Sequence, residues 1–323
     1  MTDIAAPQHS RLAEFPISFF AIVMGLSGFA LATRAGEHAL HLGPALSDGI
    51  GAAAAVAFLA IAALYATKAA AHGPSVRAEW AHPIRIAFFP AISISLLLLA
   101  TILAPIAPAL ARVVWLAGAA AQAGLMLAVV ANWIGHRPFQ HVHLNPAWFI
   151  PAVGNIVAPV AGAQLGFVEL SWLFYSAGLL FWLVLLTLVF NRLVFHDPLP
   201  GRLAPTLMIL IAPPAVAFIA WIKLGGEIDA FARITFYLGF VFLGIVATQS
   251  VKLSKLPFAL SWWALSFPVA ALTISTFLYA EKTGSAVFAW IGYGLWVALA
   301  ALILGLAART ASAIAAGEIC KPE

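Results

Sequence analysis

At 323 residues, 63% hydrophobic, 9% charged, with a mean hydropathy of +1.02 and a formal net charge of +4, the chain carries more apolar surface than a water-soluble core can hide. Soluble domains are about half apolar and about a quarter charged, so this composition calls for lipid as the solvent and excludes an ordinary soluble fold. The single cysteine, Cys320, cannot form an internal disulfide.

The first fourteen residues, MTDIAAPQHSRLAE, lack the basic, apolar and small order of a signal peptide, so 1–14 reads as a polar tail before a retained first span. Ten apolar runs follow, near 15–33, 45–67, 84–104, 109–134, 146–166, 170–191, 203–223, 232–251, 256–279 and 285–308, and 309–323 reads as a second tail. The links LAPIAP after the third run and AEKTG after the ninth are short enough to make antiparallel hairpins. No link is long enough for a soluble domain, so 15–308 is expected to be one all-α, polytopic, ten-helix membrane domain. Ten crossings put both termini on one side. That side holds eleven of the sixteen Lys and Arg residues, against Arg34, Arg112, Lys223, Arg233 and Lys282 on the other. Basic residues concentrate in cytoplasmic loops, so both termini are expected in the cytoplasm. The same bias accounts for the basic character, and nothing calls for nucleic acid as a partner.

Prolines alternate. The odd runs contain Pro16, Pro90, Pro146, Pro151, Pro159, Pro205, Pro213, Pro214, Pro257 and Pro268, whereas the even runs contain none in their interiors. Pro44 and Pro108 stand just before the second and fourth, where a proline starts a helix without cost. An interior proline removes a hydrogen bond and costs about 3 kcal/mol, and in lipid the freed carbonyl needs a partner in protein or water. The spacing therefore predicts five hairpins, with odd helices bent into an inner ring around an axis by Pro90, Pro151, Pro213 and Pro214, and straight even helices outside. A general enrichment of proline in membrane helices is the plainer alternative.

No Asp, Glu, Lys, Arg or His falls near the middle of a run. Buried ionisable groups mark proton relays and voltage sensors, so their absence argues against a proton-coupled pump and favours a passive conduit. The polar groups at depth are neutral: Ser27, Ser93, Ser95, Asn132, Asn155, Gln164, Ser266 and Thr273. An enzyme is not expected. GLSG (25–28) fits the motif of an intramembrane serine protease, but all nine histidines lie in tails, loops or run ends, away from the depth a general base would need. The three histidines of GHRPFQHVH (135–143) read as a solvated loop rather than a metal site. No cofactor and no metal are expected.

In SWWALSFPVAALTIST (261–276), Phe267 stands directly before Pro268 at mid-run. A phenyl ring in a narrow apolar pore displaces water, and such a constriction gates by dewetting. Position alone fits a packing or lipid-facing ring at least as well.

SWWALSFPVA, HLNPAWFIPAVGNIVAPVAG (143–162) and FPISFFAIVMGLSGFA (15–30) resemble the TehA and plant slow anion channel family, also called the tellurite-resistance/dicarboxylate transporter family. The resemblance covers essentially the whole chain. It implies ten helices in five hairpins, odd helices lining a pore in each subunit of a homotrimer, and a bacterial inner-membrane protein. It implies a phenylalanine gate, matched here by Phe267, with Pro268 aiming the ring and a first-helix glycine, best matched by Gly25, giving it room. The implied function is conduction of small anions such as chloride or nitrate. The alternative in the same fold is a carrier of C4-dicarboxylates, sulfite or tellurite-type oxyanions. The long cytoplasmic tails through which plant members are switched by kinases are not present in this sequence, so kinase control is not expected.

Overall fold

The computed structural model describes residues 10–135 and 139–320. The described residues are helical, without strands. Thirteen α-helices follow in chain order: α1 (Phe20–Ala39), α2 (Ala45–Ala71), α3 (Gly73–Ala81), α4 (Ala91–Leu103), α5 (Pro108–Ile134), α6 (Phe149–Val153), α7 (Ala158–Gly162), α8 (Val168–Phe195), α9 (Ala212–Lys223), α10 (Ala230–Ala247), α11 (Ser250–Leu253), α12 (Ser266–Thr283) and α13 (Ala286–Ala315). Nine helical segments among the described residues are long and apolar enough to cross a membrane. The fifth apolar run is different. Pro146–Gly162 is shorter than the other nine and broken into 3-10 and α pieces. It holds Pro146, Pro151 and Pro159, and the helix expected over 146–166 is a shorter run of 17 residues in which 3-10 and α winding alternate.

The proline-bearing segments share a construction. Each opens with 3-10 helix and continues as α: Ile17–Phe19 before α1, Arg85–Phe88 before α4, Pro146–Trp148 before α6, Gly154–Val157 before α7, Gly201–Ile211 before α9 and Leu260–Leu265 before α12. Six of the prolines fall at these junctions. Pro90 is the N-cap of α4, Pro151 the third residue of α6, Pro159 the second of α7, Pro213 and Pro214 the second and third of α9, and Pro268 the third of α12. Pro90, Pro213, Pro214 and Pro268 thus lie inside their spans, where 3-10 winding gives way to α. N–H groups in the first turn of an α-helix have no partner within it, so a proline there costs little and the change of winding occurs just before it. α2, α5, α8, α10 and α13, with no proline beyond Pro108 at the first position of α5, run unbroken for 18 to 30 residues.

Burial divides along the same line. In the most apolar stretches of Ile17–Ala39, Arg85–Leu103, Gly201–Lys223 and Leu260–Thr283, 61 to 78% of residues are buried; in the five unbroken helices the share is 17 to 33%. Sequence neighbours pair as α1 with α2, α4 with α5, α6 and α7 with α8, α9 with α10, and α12 with α13. Among the buried segments α1 packs on α4, α4 on α7, α7 on α9, α9 on α12, and α12 back on α1. The crossing of α1 and α12 uses glycine. A Cβ on Gly25 would collide with the Ser266 side chain and come within 2.9 Å of Trp263, and one on Gly28 would lie 2.9 Å from Ala270 Cβ. Close approach of α1 to α12 therefore excludes a larger residue at either position.

Two features were not read from the sequence. AEKTG is mostly helical: α12 runs to Thr283 and stops at Gly284, whose φ of 67° is the left-handed conformation that glycine adopts freely. The segment between the second and third runs holds α3, which carries Glu79 into a buried ion pair with Lys68 at 2.9 Å. Arg137, Lys321, Asp3 and Glu323, counted toward the basic bias and its acidic balance, and His136 of the histidine loop lie outside the described residues.

Candidate functional site: two cavities meeting at Phe267

The buried segments enclose two cavities. The first, about 70 Å³, lies toward the 3-10 ends. Met24, Ile94, Val153, Val216 and Phe267 line it from successive proline-bearing segments, as do Pro213 and Pro268, and among the described residues no charged side chain lines it. The second, about 1070 Å³, lies toward the opposite ends of α1, α4, α9 and α12. Phe267, Val157 and Val216 line both cavities. Pro90 and Pro151 do not line the first cavity.

Helical periodicity explains why these side chains converge. On α12 and the turn before it, Ala264, Phe267, Pro268, Ala271, Ile274 and Leu278 recur at steps of three and four and line one cavity or the other. On the ninth helix and its 3-10 lead, Ile209, Ala212, Val216, Ile219 and Lys223 do the same. One face of each helix thus passes from the first cavity to the second. The Phe267 ring is half-buried and packs against the main core. Pro268 has no N–H to return to the Ala264 carbonyl, and the preceding Leu260–Leu265 turn is 3-10. The expected neighbour Gly25 packs against Ser266 and Trp263; Gly28, which was not singled out, is the first-helix glycine whose Cβ would contact the ring, 3.4 Å from Cδ2.

Side chains of the unbroken helices bond to the backbone of the proline-bearing segments. Gln122 of α5, fully buried, donates from Nε2 to the Pro151 carbonyl at 3.0 Å. The Ser93 hydroxyl lies 2.7 Å from Gln122 Oε1 and 2.8 Å from the Pro90 carbonyl. Trp115 Nε1 donates to the Ala158 carbonyl at 2.9 Å, and the Tyr175 hydroxyl to the Ala217 carbonyl at 2.9 Å. Gln122 was missed, although a lone amide in the middle of a 27-residue apolar helix was a legible signal. Removing a partner from a buried carbonyl costs about 1–3 kcal/mol. Gln122→Leu is therefore expected to lower thermal stability in detergent by about that amount, and an unchanged melting curve removes this role.

The second cavity gathers charges that the sequence scatters. Arg34, Arg112, Lys223 and Glu281 line it, with His38 and His41. Arg34 forms an ion pair with Asp48 and donates to the Ile102 carbonyl at 3.0 Å; Arg112 Nε donates to the Leu165 carbonyl at 3.2 Å. In the histidine loop, His141 stacks on His196 with centroids 4.4 Å apart, and His143 accepts from the Gln140 N–H at 3.0 Å. Among the described residues no three His, Cys, Asp or Glu groups are placed to hold a metal ion.

Long apolar helices packed around proline-broken, buried segments with cavities between them define a multi-pass helical membrane protein. Residues 14–311 match the family described as SLAC1, voltage-dependent anion channel, and the chain belongs to that family. It is 32% identical over 294 residues to the S-type anion channel SLAH3 of Arabidopsis thaliana, covering 88% of this chain and 46% of the plant protein. It is 26% identical to the tellurite resistance protein TehA homolog of Haemophilus influenzae, covering 89% of each. An uncharacterized transporter of Methanocaldococcus jannaschii, MJ0762, is 28% identical over 97% of this chain and 98% of its own length. The chain spans about half the length of the plant channels it matches. The family is one of anion channels and transporters, not of enzymes.

Proposed function

We propose that the chain is an anion channel or facilitator that passes small anions such as chloride or nitrate along the axis of the two cavities and is occluded at rest by Phe267. The observation that carries this reading is that Phe267 lines both cavities. Pro268 directs the ring, and Gly25 and Gly28 give it room by keeping α1 against α12. In this reading Pro146–Gly162 is the tenth crossing, the five pairs are hairpins, and the closed sequence of contacts through α1, α4, α7, α9 and α12 is an inner ring. Its broken backbone is tolerable because it faces protein and a water-filled path rather than lipid. The unbroken helices face lipid and other copies in the family's homotrimer. The basic residues on the side of the termini support a bacterial inner-membrane protein with cytoplasmic ends.

The test is flux in liposomes holding the purified protein. Chloride or nitrate is expected to run down its own gradient with no imposed proton or sodium gradient. Saturable malate uptake that requires a proton gradient overturns the channel reading in favour of a coupled carrier.

A further inference from the structure

We propose that Lys223, assisted by Arg112, makes the second cavity an anion-concentrating vestibule that loads the path on that side of Phe267. The inference rests on the reading that this cavity is a mouth of the conduction path. Lys223 is the last residue of α9 and shares the helical face of Val216 and Ile219, all three lining the cavity. It stands seven residues beyond Val216, about 10 Å along the axis from the constriction. Among the described residues its ammonium makes no hydrogen bond or ion pair; the Glu281 carboxylate and the Lys282 ammonium act on it at longer range.

The other cations on the cavity are engaged differently. Asp48 offsets Arg34, while the Arg112 guanidinium meets a carbonyl and, among the described residues, no carboxylate. A cavity of about 1070 Å³ holds water in bulk-like amount. Fixed charge lining a low-dielectric concavity focuses potential and raises the local concentration of counter-ions. Among the described residues the first cavity has no charged lining, so the device is one-sided. A lone flexible ammonium provides charge without the planar fork of an arginine, which fits attraction of small anions of any shape rather than selection of one.

A thiol reporter tests this without any current. Ser285 lines the vestibule and is the N-cap of α13 without a side-chain cap bond, so Ser285→Cys disturbs little. It is placed in a Cys320→Ser background, which removes the one native thiol. Reaction rates are compared for a sulfonate-bearing and a trimethylammonium-bearing methanethiosulfonate at pH 8 and low ionic strength. The anionic reagent is expected to react faster. Lys223→Gln is expected to lower the anion-to-cation rate ratio about three- to tenfold, Lys223→Arg to retain it and Glu281→Gln to raise it, with the differences collapsing in 1 M salt. A ratio that Lys223→Gln leaves unchanged overturns the proposal, as does a thiol that neither reagent reaches. Liposome flux separates the two readings. Anion flux with an unchanged ratio removes the vestibule and keeps the channel; a charge-dependent ratio without flux removes the channel and keeps an anion-attracting cavity.

Discussion

Phe267→Ala is expected to raise basal anion conductance by at least tenfold over the parent protein, measured in planar bilayers with chloride, nitrate and malate, while expression and assembly persist. The ring borders both a cavity of about 70 Å³ and one of about 1070 Å³, and the side chains that share this position, Val157 and Val216, are smaller. Truncation to a methyl removes the bulk that keeps the waist dry, and a dewetted constriction opens when it is wide enough to hold water. The same variant distinguishes gating from packing. If Phe267 were an ordinary core ring, truncation would cost about 3–5 kcal/mol of stability and leave conductance at the parent level. A ring bordered by cavities on two sides loses fewer contacts, so a large rise in current with a small loss of stability is the expected pair. A variant that assembles but conducts no more than the parent removes Phe267 from the gate.

The second large effect is structural. Glu79→Ala is expected to destabilise the protein by about 3–5 kcal/mol, the cost of leaving a buried charge without its partner. Both side chains of the Lys68–Glu79 pair are nearly inaccessible, at 3 and 2% exposure. Glu79 Oε1 accepts from the Ile17 N–H at 2.7 Å, and Oε2 accepts from Lys68 Nζ and the Tyr65 hydroxyl, each at 2.9 Å. Lys68 also donates to the Phe15 carbonyl at 2.8 Å. One carboxylate thus joins α2 and α3 to the start of the first buried segment, where a negative charge meets unpaired N–H groups. Thermal unfolding in detergent at a fixed scan rate is the measurement, with Glu79→Gln expected to fall between the parent and Glu79→Ala. A Glu79→Ala midpoint equal to that of the parent shows the network to be dispensable.

Some of this was legible along the chain. Nine of the ten apolar runs correspond to long helices because hydropathy needs no knowledge of neighbours. Proline spacing picked out the segments that are in fact the most buried, since a broken ladder must find its donors in protein. The alternating 3-10 and α winding of the fifth run was not read, because its apolar content hid the effect of Pro146, Pro151 and Pro159. The placement of prolines in first turns was also hidden, because the 3-10 leads lie within the same apolar runs. Both Gly25 and Gly28 lie in GLSG, and only the rotation of α1 against α12 decides that Gly28 is the one that meets the ring.

Composition and pattern were enough for the solvent, the helical class, the division of segments by proline and the resemblance to an anion channel family, because these depend on local chemistry summed along the chain. The packing alone assembled Val157, Val216 and Phe267 around one waist, joined Glu79 to Ile17 and brought Arg112 and Lys223 to one cavity. The members of each group are far apart in the chain. Which faces of separate helices meet is set by how the helices rotate and cross, a property that no single segment contains.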